Sequence, residues 1–221
     1  MRRVLVLRPE PGASATVEKA RAMGIDALAV PLFTTEPVEW EPPDPTVFDG
    51  ILLTSANAAR HGGAGLRELR GLPTYAVGEA TAEAARQAGF DVAATGDEGV
   101  DRLLGSIEPN LALLHLCGED RRAPADPRQR ITSVVVYRAT AVAAPELDGA
   151  RGAVAMIHSP RAARRFAELT RERRSIAIAA ISPAAAQAAG SGWAAVECAS
   201  QANDDALLAL VARLCDKPPP E

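Results

Sequence analysis

Two short stretches decide the fold: Thr54-Ser55-Ala56-Asn57-Ala58-Ala59-Arg60 and His158-Ser159-Pro160-Arg161-Ala162-Ala163-Arg164. They share one pattern at an offset of 104 residues. The same offset places Gly78-Glu79-Ala80 on Ser182-Pro183-Ala184 and Ala84-Ala85 on Ala188-Ala189, with Gly89-Phe90 and Gly192-Trp193 in loose correspondence. The competing reading is coincidence in an alanine-rich chain. Both matches, however, follow a strand-like apolar run and lead into a helical pattern, which favours two related α/β units.

Outward from these stretches, strand patterns fall at Arg3-Leu7, Ala27-Leu32, Gly50-Thr54, Thr74-Val77, Val92-Ala94, Leu111-Leu116, Ser133-Tyr137, Ala153-Ile157, Ile176-Ala180 and Ala194-Glu197. Helical patterns fall at Ala13-Ala22, Ala56-Leu69, Ala80-Ala88, Gly99-Ile107, Arg161-Arg171, Pro183-Ala189 and Asp204-Cys215. Several strands are apolar at consecutive positions, as parallel strands covered on both faces are. In the last helix Leu207, Leu208, Val211 and Leu214 form one apolar face, with Asn203 or Asp204 as its cap. Residues 35–43 and 137–142 read as extended crossings, and Pro37, Pro42 and Pro43 keep the first out of a helix.

The expected fold class is α/β: two similar parallel-sheet lobes joined by two extended linkers, with a cleft between them. Residues 1–35 and 142–216 form the first lobe and 42–136 the second; 36–41 and 137–141 are the linkers, and 217–221 a disordered tail. Ligands favour such clefts and the C-terminal ends of parallel strands.

Composition narrows the function classes. The 221 residues are 48% apolar, 24% charged and 4% aromatic, which is globular and excludes a fibrous or wholly disordered chain. Lys plus Arg is 24 against 28 Asp plus Glu, a net charge of -4, so nucleic acid is not an expected partner. Cys117, Cys198 and Cys215 form no CxxC pair and point to a reducing compartment. The apolar run Val4-Leu7 ends at Arg8-Pro9-Glu10, too short for a signal-peptide core, and no run approaches a membrane span. A cytoplasmic protein without membrane contact is expected.

Catalytic motifs are sparse. His61, His115 and His158 do not pair at ligand spacing and HExxH is missing, so no metal is expected. GxSxG is missing, and a Ser-His-Asp set would require free selection among distant residues. Gly62-Gly63-Ala64-Gly65 lies inside a helical pattern, the turn after the first strand lacks GxGxxG, and no GxxxxGK[ST] occurs. No cofactor is expected; Gly62 and Gly63 read as a helix break.

The polar strand ends are more informative. They hold Arg8, Ser55 and Asn57, Gly78 and Thr81, Gly118, Ser159, and Ser182 with Ala184. Each hydroxyl alone reads as a helix cap. Together they suggest a ligand with several anionic groups, held by N–H groups at helix starts with Arg8, Arg60, Arg121, Arg122 or Arg161 assisting. Glu79 is expected to turn away from ligand carboxylates and organise its own loop.

In order along the chain, VLVLRP (4–9), FDGILLTSANAAR (48–60), YAVGEATAEAARQAGF (75–90), LLHLCGED (113–120), VVVYRA (134–139), HSPRAARRF (158–166) and AIAAISPAAAQAA (177–189) resemble the uroporphyrinogen-III synthase family. Two departures stand out. Ser182-Pro183-Ala184-Ala185 replaces a Gly-Pro-Thr-Thr-like element and lacks its hydroxyls, and the segment after Glu119 is short.

The resemblance implies a cofactor-independent cyclising lyase of tetrapyrrole and heme biosynthesis. Its substrate is hydroxymethylbilane, a linear tetrapyrrole with eight carboxylates. Water is lost, a spiro intermediate forms, and ring D is inverted. Tyr137, at the end of VVVY, is the expected catalytic residue; the other reading is a hinge aromatic. Substrate-binding residues are expected at Arg8, Ser55, Asn57, Gly78, Thr81, Gly118, Ser159, Ser182 and Ala184. A monomer is expected, with transient contact to the preceding pathway enzyme. The alternative is a cytoplasmic two-lobed binding protein or sensor for an anionic small molecule.

Overall fold

The computed structural model describes residues 2–96, 99–121 and 123–216. The tail expected at 217–221 and the candidate Arg122 lie outside them. In chain order the elements are β1 (Val4–Val6), α1 (Gly12–Ala22), β2 (Ala27–Ala29), β3 (Phe33–Pro37), β4 (Gly50–Leu53), α2 (Ala56–His61), β5 (Thr74–Val77), α3 (Glu79–Gln87), β6 (Val92–Gly96), α4 (Val100–Ser106), β7 (Ala112–Gly118), β8 (Arg130–Ala141), β9 (Val154–Ile157), α5 (Pro160–Leu169), β10 (Ala177–Ala180), α6 (Pro183–Ala189), β11 (Ala195–Cys198) and α7 (Asp204–Asp216). Contacts divide the chain into two compact units: residues up to Thr34 with those from Ala141 onward, and Thr35–Thr140.

The first unit holds a five-stranded sheet in the order β11-β10-β9-β1-β2, parallel throughout. Strands β1, β9 and β10 are buried at every position, because both faces are covered. On one face Val4, Val6, Val154, Met156, Ala177 and Ala179 pack with Val17 of α1 and Leu207, Val211 and Leu214 of α7. The alternating residues Leu5, Ala155, Ile157 and Ile178, also fully buried, turn to the opposite face. Helices α5 and α6 begin alike: Ser159 and Ser182 accept hydrogen bonds from the N–H groups of Ala162 and Ala185, and a proline follows each serine. Buried Arg2 ties the strand starts together by donating to the carbonyls of Gly152, Ala153 and Ser175.

The second unit holds a six-stranded sheet, β3-β8-β7-β4-β5-β6. From β8 to β6 its pairs are parallel. Ile51, Leu53, Leu114, Leu116 and Val136 pack with Ala58 and Ala59 of α2 and Ala84 and Ala85 of α3. Leu52 and Leu113 pack on the other face with Leu103 and Leu104 of α4. The chain passes between units within two strands, the first time in β3 and the second in β8. Arg138 of β8 donates to Glu36 of β3 at 2.6 Å, and Thr140 to the same carboxylate at 3.0 Å.

Three local expectations change. The single helix expected over 56–69 stops at His61 and resumes as a 3-10 helix from Gly63, whose φ of +64° breaks the α-helix. The strand expected over 27–32 ends at Ala29. The strand expected over 133–137 extends over 130–141.

The second core also buries a histidine. His115 of β7 pairs in register with Leu52 and Ser133 and is 1% exposed. Its Nε2 lies 3.0 Å from Thr54 Oγ1 and its Nδ1 3.4 Å from Ser133 Oγ. Burial, and less strongly Arg121, pushes its pKa down to about 4. An unfolded chain takes up this proton near pH ~6.5, so unfolding binds a proton between those values and stability falls as pH drops from about 6.5 to 4. Chemical denaturation at pH 7 and 4.5 should show the His115→Gln variant losing about 2–3 kcal/mol less than wild type on acidification.

Candidate functional site

The site in the second unit is built by one irregularity. Along β7 and β8 the register pairs Cys117 with Val135 but Gly118 with Tyr137, leaving Val136 as an extra residue. A bulge of this kind breaks the alternation of side chains and re-aims the residue beyond it. Val136 and Tyr137, neighbours in sequence, consequently pack against the same apolar cluster with α2. In unbroken register Tyr137 would face the α4 side.

The ring then rests on backbone. A Cβ on buried Gly118 would lie 2.7 Å from Tyr137 Cζ and 2.9 Å from its Oη. What approaches the Gly118 backbone is therefore Tyr137. The phenol lies against the Ser55 side chain. Burial raises its pKa, the Ser55 contact opposes that, and Cys117 and Asp120 raise it further. The phenol thus keeps its proton at neutral pH. Ser55 Oγ also accepts from the Asn57 N–H at 3.2 Å as the cap of α2. His61, at the other end of α2, places its ring centroid 6.1 Å from that of Tyr137, tilted by 32°. Its Nε2 lies 2.9 Å from Thr35 Oγ1.

The remaining strand ends are more dispersed. Gly78 caps α3 at φ +82°, a conformation glycine alone adopts readily, and its N–H is taken by the Gly96 carbonyl at 2.7 Å. Thr81 is 5% exposed, which leaves its hydroxyl little access to a ligand. Glu79 is exposed and accepts from Arg86 at 2.6 Å, within its own helix. In the first unit Ser159 and Ser182 are caps, and Ala184 is an exposed first-turn residue of α6.

Arg8 is not free to meet a ligand as a bare cation. Its NH1 donates to both oxygens of Asp204, at 2.8 and 3.0 Å. Thr16 donates to the same carboxylate at 3.1 Å, and His158 Nε2 lies 3.3 Å away. Burial would raise the Asp204 pKa, but His158, Arg8 and Thr16 hold it well below the usual carboxylate range. Burial keeps His158 below the ordinary imidazole value, although Asp204 pulls the other way. Asp204 therefore leaves the capping of α7 to Asn203, whose Oδ1 accepts from the Ala206 N–H. Among the described residues no group of His, Cys, Asp and Glu is arranged to hold a metal ion, and no helix is long and apolar enough to cross a membrane.

Comparison with known proteins decides the family. The model of the family described as uroporphyrinogen-III synthase HemD matches residues 14–209. The chain belongs to the uroporphyrinogen-III synthase family. Its fold resembles the crystal structure of uroporphyrinogen-III synthetase from Helicobacter pylori, with a TM-score of 0.62 and 17% identity over 97% of this chain and 100% of that one. A mutant uroporphyrinogen III synthase from Thermus thermophilus is 16% identical over 97% and 99% of the two chains, with a TM-score of 0.49. The wild-type Thermus thermophilus enzyme is 18% identical over 97% and 98%, with a TM-score of 0.42. No curated protein matches the chain.

Sequence reasoning missed His61 and Thr35 beside Tyr137, and Asp204 and Thr16 beside Arg8. Family motifs carry none of the four, and all but Thr16 lie far along the chain from the residue they meet. If Gly118 seats the phenol, Gly118→Ala should push the ring aside at small cost in stability, because the crowded atoms are the far end of one side chain. Steady-state kinetics and thermal melting should give a kcat about tenfold lower or more with Tm nearly unchanged. Adding Tyr137→Phe to that variant should cost little further.

Proposed function

We propose that the family's reaction is carried out with the Tyr137 phenol as the acid that releases water from hydroxymethylbilane. The enzyme is a cofactor-independent cyclising lyase. Its substrate loses the terminal hydroxyl as water, forming an azafulvene cation. The substituted carbon of ring D attacks that cation to give a spiro intermediate, which fragments and recloses with ring D inverted. The observation carrying the assignment is the bulge that sets Tyr137 against Ser55, with a phenol that remains protonated at neutral pH. Proton donation to the leaving hydroxyl is work suited to such a group. The Ser55 hydroxyl is placed to donate to the phenolate oxygen once the proton has gone.

The substrate's carboxylates are proposed to sit at the helix starts marked by Ser55 and Asn57, Gly78 and Thr81, Ser159, and Ser182 with Ala184, on first-turn N–H groups other than those of Asn57 and Gly78, which Ser55 Oγ and the Gly96 carbonyl already hold. Helix starts leave such donors open. Arg8 would contribute through its ion pair with Asp204 rather than as a free charge. Backbone donors explain how a chain of net charge -4 handles a polyanion, and why Ala184 and Ala185 can stand without hydroxyls. The substrate also closes spontaneously at its free carbon, so the main task is to hold the crowded carbon in reach. We further propose a cytoplasmic monomer that meets the preceding pathway enzyme transiently, since a substrate with a spontaneous side reaction favours short transit.

Freshly generated hydroxymethylbilane tests the reading by isomer analysis. Wild type should yield isomer III well above the spontaneous isomer I background, and an unchanged ratio at high protein concentration would point to the binding-protein alternative. Tyr137→Phe should lower kcat about a hundredfold; a folded variant with wild-type kcat would remove Tyr137 from the chemistry.

A further inference from the structure

We infer that His61 is the proton partner of Tyr137, a positioning residue that returns the phenol to its protonated form within each turnover. This rests on the proposed role of Tyr137.

The net reaction consumes no proton, yet its first and last steps move one. At the start the phenol O–H bond breaks, the proton goes to the hydroxymethyl oxygen, and the carbon–oxygen bond breaks to release water. That leaves a phenolate and a carbocation. At the end the reclosed macrocycle still carries the positive charge and must lose a proton from ring carbon. The phenolate must regain one, and a base beside it provides a route by which the proton is collected and passed on.

His61 is the group placed to do so. Its ring lies beside that of Tyr137, with centroids 6.1 Å apart and planes tilted by 32°. Thr35 Oγ1 engages Nε2 at 2.9 Å and fixes the ring, leaving Nδ1 for the exchange. Burial and then Arg60 hold His61 below the ordinary imidazole value, so the ring is a neutral acceptor at neutral pH. The groups facing His61 are Arg60 on its own helix, Tyr137 on β8 and the Thr35 hydroxyl on β3. The nearest carboxylate in sequence to Thr35, Glu36, is engaged by Arg138 and Thr140. Ser55 holds the phenol from one end of α2 and His61 meets the ring from the other.

The test is the pH dependence of kcat for wild type, His61→Gln and Thr35→Val, with isomer III formation by wild type confirmed first. A wild type that makes no isomer III would sink the functional reading itself. With an active wild type, His61→Gln should lower kcat about tenfold or more at unchanged KM. It should also abolish the fall in kcat at acid pH, where His61 takes up its proton. Thr35→Val, which removes the hydroxyl engaging Nε2, should shift that limb. Profiles of both variants superimposing on wild type would overturn the inference. If His61→Gln does not fold, the limb of Thr35→Val decides alone: displaced supports the inference, superimposed overturns it.

Discussion

One extra residue in β8, Val136, turns the Tyr137 ring from the α4 side of the sheet to the α2 side. That rotation is what brings the phenol to Ser55 at one end of α2 and to His61 at the other. Gly118 completes the arrangement, since only a residue without a Cβ leaves room for the ring above the end of β7. The site therefore stands on backbone geometry between two adjacent parallel strands. Elements on rigid strands hold catalytic geometry better than loops do.

The first unit presents a different kind of strand end. There Arg8 is neutralised by Asp204, with Thr16 and His158 against the same carboxylate. A polyanionic substrate met by free arginines would be bound with little regard to its shape. Under the proposed binding mode, capped helix starts would place donors at fixed positions instead and favour one folded form of a flexible tetrapyrrole. Each Ser-Pro start, at Ser159 and Ser182, fixes the first turn of its helix in that way.

Much of the fold was legible because it repeats. The strand, the cap and the alanine-rich helix at 50–61 recur at 154–169, and the parallel pairs β4–β5 and β9–β10 share one pattern. Buried strands without alternation announced sheets covered on both faces. What could not be read was anything decided by register. The bulge beside Gly118 leaves no mark in VVVYRA, since one extra residue skipped by the β7–β8 register changes orientation and not composition. The end of α2 at Gly62-Gly63 was foreseen as a break, yet that His61 would land beside Tyr137 depends on the packing of α2. The Arg8–Asp204 pair joins residues at opposite ends of the chain, and an aspartate at a helix start reads as a cap until its partner is seen. Thr81 looked like a donor for the same reason: sequence shows a hydroxyl near a strand end, not its burial.

The central claim is that the tetrapyrrole is handled at Tyr137. The chain has two tyrosines, Tyr75 and Tyr137, so selective 13C labelling at the tyrosine ring carbon bearing oxygen gives two resonances, assigned with Tyr75→Phe. Burial raises the pKa of both phenols, and both should be protonated at neutral pH. The account predicts that uroporphyrinogen III, added without oxygen until binding saturates, shifts the Tyr137 resonance and leaves Tyr75 unmoved. A Tyr137 resonance that stays in place while tryptophan fluorescence reports full binding would contradict it.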